Sequence, residues 1–297
     1  MTNLSNKIDF AVIVSVNHAN PNGDPLNGNR PRTTYDGFGE LSDVSIKRKI
    51  RNRLMDIVSG KAIFVQSDDN RTDDYRSLRE RADAMLKGVD PSDKKKYQEA
   101  ACKMWLDVRA FGQVFAFKAK KGKKSEGEED SDGVSIPVRG PVSIHPAFSI
   151  APVLERVSSI QITKSVSGEG DGTKRGSDTM GMKHRVDHGV YVFYGSMNPQ
   201  LASKTGFTDD DAKAIKEALR TLFVNDASSA RPEGSMEVYK IYWWEHGNPN
   251  GQYSSAKVHR LLNVAVKKGV EEPKTIADYD IKRDNLPGLN CEEIDGE

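Results

Sequence analysis

An α+β fold with a predominantly antiparallel sheet is predicted by the order of the periodic segments. A strand, a helix, a helical insertion, a group of strands, a second helix and a final strand follow one another, without the regular one-to-one alternation of a parallel βαβ array. The 297 residues, 36% of them hydrophobic, are enough for one main domain with insertions. No internal repeat is visible.

The first element is KIDFAVIVSV, residues 7–16, in which apolar and β-branched residues dominate without a clear polar face, so it reads as a central strand covered on both sides. HANPNGDPLNGNRPRTTYDGFGE follows, and its Gly, Pro, Asn and Asp content makes it a long loop. A helix starts near Ser42 or Asp43, either of which can cap it, and Ile46, Ile50, Leu54 and Ile57 form its apolar stripe. Residues 75–106 predict two helices separated by Gly88 and Pro91, with Tyr75, Leu78, Ala82 and Met85 in one set and Tyr97, Ala101, Met104 and Trp105 in the other. Residues 118–133, a lysine cluster running into acids, predict a solvated loop. VSIPVRGPVSIHP, RVSSIQITKSVS and GVYVFYGSMN read as strands. TDDDAKAIKEALRTLF, residues 208–223, is an amphipathic helix with Thr208 as its cap and acids in its first turn, where the helix dipole favours them. MEVYKIYWWEHG is a strand, and KVHRLLNVAVKKG fits either a short helix or a strand.

Charge narrows the functional classes. The 44 basic and 43 acidic residues leave a formal net charge of +1, which gives no global attraction to nucleic acid, so a polyanion site has to be local. The run SIKRKIRNRL, residues 45–54, concentrates five of those cations. With its stripe facing the core, Lys47 and Arg51 are i, i+4 neighbours. Ser45 and the free N–H groups of the helix start add donors suited to phosphate, although the five cations cannot all face one direction. A solvated helix face without a ligand accounts for the same run equally well.

The second candidate is the excursion of residues 165–188, between two strand-like segments that would pair with each other. It exceeds an ordinary hairpin loop and carries Lys174, Arg175, Lys183, His184 and Arg185 beside Met180 and Met182. Cations next to an apolar tip can grip a backbone while wedging between bases, and a floppy glycine-rich loop without a ligand is the alternative reading.

Other signals are weaker. His184 and His188 are four apart, but the glutamate of H-E-x-x-H and a third ligand are missing, so no metal is expected. GEGDGTKRG matches neither phosphate-loop nor dinucleotide spacing, and no cofactor is expected. Trp243 and Trp244 read as core and interface, and turn and cap roles explain Asp24, Asp36 and Asp43 as well as general-base roles do. Cys102 and Cys291 form no C-x-x-C pair, which fits a reduced, cytoplasmic setting. No apolar run is long enough for a membrane span, and MTNLSNKID lacks the apolar core of a signal peptide.

Taken in order, VSVNHANPNGDPLNGN, SDVSIKRKIRNRL, DVRAFGQVFA, RGPVSIHPAFSIAP and TMGMKHRVDHGVYVFYGSMNP resemble the backbone subunit of type I CRISPR surveillance complexes. This is the seventh CRISPR-associated family of the repeat-associated mysterious protein superfamily, and the type I-C branch is the most similar. The resemblance spans most of residues 7–200. It implies a modified ferredoxin-like, RNA-recognition-type palm, helical fingers and a β-hairpin thumb. Residues 1–65 would begin the palm, 66–133 would hold the fingers and the charged loop, and 134–164 would return to palm strands. Residues 165–188 would form the thumb, and 189–297 would complete the palm and C-terminal segment. The family is non-catalytic in type I complexes. Its copies stack head to tail along a guide RNA, kink it at regular intervals and display it for pairing with a target DNA strand. Large, small and guide-end-capping subunits and a recruited nuclease-helicase are further implied partners, and a membrane is not. By this resemblance Ser45, Lys47, Arg48 and Arg51, with Asn20, Asn22 and Arg30 of the preceding loop, would meet RNA, which leaves Lys49 and Arg53 as solvated surface, and Met180 and Met182 would lie near the thumb tip. The palm lacks the aromatic signature of ordinary RNA-recognition modules, so sheet-face stacking is not implied. Type III relatives cleave RNA with a loop aspartate. Asp24 occupies a similar loop in a different setting, NGDPLNG, and makes an endoribonuclease the alternative reading. A metabolic enzyme binding a small anion at the basic helix is the third class.

Overall fold

The computed structural model describes residues 2–60, 62–117, 134–153, 155–162 and 179–297. The elements comprise β1 (Ile8–Ala19), β2 (Gly23–Asp24), β3 (Arg30–Pro31), β4 (Phe38–Leu41), α1 (Asp43–Ile57), α2 (Leu78–Met85), α3 (Lys94–Met104) and α4 (Leu106–Phe111). They continue with β5 (Gly112–Phe117), β6 (Val134–Arg139), β7 (Val142–Ile144), β8 (Ala147–Pro152), β9 (Glu155–Ile162), β10 (Thr179–Met197), α5 (Pro199–Thr205) and α6 (Asp209–Arg220). The last are β11 (Met236–Glu245), α7 (Ser255–His259), β12 (Leu262–Val266), β13 (Tyr279–Arg283) and β14 (Cys291–Asp295).

The main sheet runs β14-β11-β1-β10-β8-β4, with β7 and β9 also paired to β10. Its strand pairs are all antiparallel, as the order of segments predicts. β1 is central because both of its faces are apolar. Phe10, Val12, Val14 and Val16 pack under α1 and α6 with Ile46, Ile50, Leu54, Ile215 and Leu219. Ala11 and Ile13 pack on the other face with Val190, Trp244, Val258 and Tyr279, beneath α7 and the β12–β13 hairpin. Trp243 and Trp244 are both core residues. KVHRLLNVAVKKG proves to be both alternatives in succession, α7 followed by β12.

α6 starts with a capping box: Thr208 Oγ1 accepts from the Asp211 N–H, and Asp211 Oδ2 from the Thr208 N–H, each at 3.1 Å. Residues 62–117 build a third core around Phe64, Tyr97, Trp105 and Phe115, closed by the β5–β6 hairpin. That hairpin leaves α4 through Gly112, whose φ of 82° and ψ of 168° are essentially reserved for glycine. A Cβ there would lie 2.4 Å from the Val138 carbonyl oxygen and 2.8 Å from the Gly140 nitrogen. Gly112→Ala should therefore cost about 3 kcal/mol in urea unfolding. An unchanged midpoint would contradict this close approach.

One strand assignment is corrected. β10 is 19 residues long and runs through TMGMKHRVDH into GVYVFYGSM. Its first part pairs with β9 from Thr179↔Ile162 to Val186↔Glu155, while its second pairs with β1 from Val186↔Ala19 to Met197↔Ile8. RVSSIQI thus faces TMGMKHRV and not GVYVFYGSMN. The alternation was hidden because an inward position is filled by His184, buried like Val186, with half-buried Lys183 and Arg185 between.

Candidate functional site

The loop preceding α1 is a folded unit that fixes the start of the helix. Asn20 is buried, and its Nδ2 donates to the Asn29 carbonyl at 2.7 Å. Asn22 Oδ1 accepts from the Ser42 N–H at 2.8 Å, tying the loop to the helix entrance. Arg30 lies on β3, opposite Asp24 in register, and is half-buried. Asp24 caps the short 3-10 turn Pro25–Asn27, accepting from the Leu26 N–H at 3.2 Å, and lies 3.5 Å from Arg32 Nη2. A carboxylate so engaged is explained by turn chemistry alone.

Ser42 caps α1: its Oγ accepts from the Ser45 N–H at 3.3 Å. Ile46, Ile50 and Leu54 are fully buried, so the stripe orients the helix as its spacing predicts. The five cations then separate by partner. Lys47 Nζ meets Asp43 Oδ2 at 2.9 Å, a half-exposed i, i+4 pair. Arg51 Nε donates to Asp107 Oδ2 at 2.9 Å, and its guanidinium carbon sits 5.1 Å from the Phe111 ring centre. Arg48 has no carboxylate partner among the described residues, and its buried Nη1 makes no hydrogen bond. Desolvation and the adjacent Arg51 hold Arg48 below the ordinary guanidinium value, while Asp69, Asp107 and Asp68 pull the other way from a distance.

Lys49 and Arg53 are not solvated surface, which corrects the sequence reading. Lys49 is buried and ion-paired with Asp226, and desolvation lowers its pKa to about 8. Arg53 Nε donates to Thr221 Oγ1 at 2.7 Å. Both are enclosed because α6 and the segment after it pack along that side of α1, which the helix sequence cannot reveal.

Asp107 is the residue that sequence reasoning missed. It is 1% exposed and accepts from the Phe64 and Val65 N–H groups at 2.7 and 3.1 Å as well as from Arg51. The available signal was a lone acid in WLDVRA, between Trp105, Leu106 and Val108, all of them buried.

On the β9–β10 arm, Met182 is 70% exposed and Arg185 Nε lies 3.6 Å from Asp187 Oδ1. Met180 pairs with Gln161 in register. Lys174, Arg175 and the 118–133 loop lie outside the described residues. His184 and His188 sit on an extended strand, where a spacing of four is about 13 Å, too far for two ligands of one metal ion.

A family model described as CRISPR-associated protein Cas7 matches residues 6–284. The CRISPR-associated protein Cas7 of Haloferax volcanii is 29% identical over 256 residues, which cover 84% of this chain and 73% of the relative. Among solved structures, a chain of "CRISPR RNA-guided surveillance complex, pre-nicking" superposes with a TM-score of 0.46 at 14% identity, over 90% of this chain and 84% of its own. A chain of "CRISPR RNA-guided surveillance complex" gives 0.40 at 16%, over 80% and 68% respectively. With the family match extending over nearly its whole length, the chain belongs to the CRISPR-associated Cas7 family.

Proposed function

We propose that this chain is a non-catalytic, guide-RNA-binding backbone subunit of a type I CRISPR interference complex, of the I-C branch. The observation that carries the reading is Arg48, a cation on α1 with no protein carboxylate of its own among the described residues, next to Lys47 at a capped helix start. A phosphate supplies the missing acceptor and offsets the cost of a half-buried, unpaired guanidinium. Ser45, Asn20, Asn22 and Arg30 line or brace the same surface. Arg51, already paired, contributes through its field and not through a free fork. Copies stack head to tail along the guide, and the arm from residue 165 to 188 wedges a base at regular intervals, with Met180, Met182, Lys174, Arg175, Lys183 and Arg185 as its contacts, while His184, buried on the inward side of β10, braces the arm and does not reach the guide. Sequence is then read by pairing of the displayed guide with target DNA. The palm of this reading is ferredoxin-like. The large, small and end-capping subunits and a nuclease-helicase complete the machinery, in the cytoplasm. No helix among the described residues is long and apolar enough to cross a membrane.

The test is a salt titration of binding to labelled single-stranded RNA. Lys47→Ala and Arg48→Ala should each weaken binding across sequences and lower the log–log salt slope by about 0.7 for each phosphate left without its cation. The RNA should be recovered uncut. An unchanged slope in both variants would remove α1 from the interface, and cleavage abolished by Asp24→Ala would establish the endoribonuclease reading instead.

A further inference from the structure

A cavity of about 580 Å³ opens where the β9–β10 arm meets the main sheet, remote in character from the basic helix. Its volume falls within the range of sites that enclose a side chain or small ligand. One wall is the end of β1, where His18 adopts a left-handed φ of 52° and its Nδ1 lies 3.7 Å from Asp187 Oδ1. An aromatic pair lies against the cavity, with the His188 and Tyr279 rings 5.9 Å apart and tilted by 51° and Tyr279 only 5% exposed. Pro152 and Val153 supply an apolar side, and the segment between β12 and β13 supplies Glu271, Glu272 and Lys274.

The polar groups of this cavity are mostly acceptors. His188 Nδ1 faces Asn17 Oδ1 at 2.7 Å, and its Nε2 is enclosed by the protein. Burial holds His188 below the ordinary imidazole value. Glu271 and Glu272 are exposed, and no ion pair engages them among the described residues. Asp187 is flanked by His18 and Arg185, and Asp278 nearby is occupied by the Lys274 and Thr275 N–H groups. Among the lining residues, the Glu271 and Glu272 carboxylates stand against the single ammonium of Lys274, Asp187 being engaged by Arg185 and His18. A phosphate backbone is repelled by such a lining, whereas a donor-rich cation is attracted.

We propose that this cavity receives an arginine guanidinium presented by a protein partner, packed against the half-buried His188 ring and bonded to the Glu271 and Glu272 carboxylates. The planar fork suits an aromatic ring with carboxylates beside it better than a compact ammonium does. The inference does not rest on RNA binding, and its test is separate from the salt titration.

N-acetylarginine amide serves as the probe, titrated into the full-length chain carrying ¹⁵N-labelled histidine, with adenosine as the comparison. The arginine derivative should shift the His188 imidazole resonances saturably, with a Kd on the order of 1 mM. The double variant Glu271→Gln/Glu272→Gln, altered at exposed loop positions that leave folding intact, should bind about tenfold more weakly. Adenosine should leave the resonances in place. A saturable shift with adenosine and none with the arginine derivative would make the cavity a nucleobase site. No shift with either, or an unweakened double variant, would equally overturn the proposal.

Discussion

Asp107→Ala should cost about 3–5 kcal/mol of folding stability, because one substitution strands three donors, one buried and two partly buried. The carboxylate is 1% exposed and holds the Phe64 and Val65 N–H groups at 2.7 and 3.1 Å and the Arg51 Nε at 2.9 Å. Alanine offers none of them an acceptor, and Arg51, only 12% exposed, is left as a charge with little water to solvate it. The loss falls where α1 meets the entrance of the 62–117 subdomain, so that subdomain should loosen first. Urea unfolding with a probe near Trp105 measures it. A loss below about 1 kcal/mol would mean that water reaches these donors in place of the carboxylate. Because Arg51 belongs to this joint, its own substitution disturbs folding and binding together. Arg48 and Lys47 are therefore the informative positions for RNA.

Asp226→Asn should cost about 3–5 kcal/mol below neutral pH, and the loss should shrink in alkaline solution. Lys49 is 5% exposed and relies on Asp226, which it shares with Arg231 Nε at 3.1 Å. Desolvation depresses Lys49 to about 8, against an ordinary lysine near 10.5. Between those values the unfolded chain binds more protons at this site than the native chain does, so the contribution of Lys49 to stability rises with pH through that window. In Asp226→Asn the ammonium has lost its carboxylate, and its native pKa falls further. Above about pH 8 the lysine is neutral in both native proteins, and the carboxylate matters less. Unfolding free energies of the two proteins at about pH 6.5 and about pH 9.5 test this, since other alkaline titrations are common to both. A difference that does not vary with pH would show that Lys49 keeps its proton throughout.

The five cations of SIKRKIRNRL show how much of the candidate site can be read in one dimension. The spacing of Ile46, Ile50 and Leu54 orients α1 correctly, and Ser42 lies where a cap belongs. Lys47 and its neighbour Asp43 are equally legible, since i, i+4 pairing is a property of the helix itself. The other partners are remote: Arg51 bonds a residue 56 positions away, Arg53 one 168 away and Lys49 one 177 away. Nothing in a helix marks which of its charges will be enclosed by segments that arrive so much later in the chain. Arg48 stands out only after the others have been assigned.

The same division holds for the sheet. Continuous apolar character makes β1 central, and a threonine cap with acids in the first turn makes α6 a helix, because both depend on interactions within a few residues. The reach of β10 into the arm, the burial of His184 and the cavity beneath that arm depend on strands brought together from across the chain. Local chemistry dictates which segments are strands and helices. Packing alone decides which polar groups are closed in and which remain open to a ligand, since burial belongs to pairs of surfaces and not to any one segment.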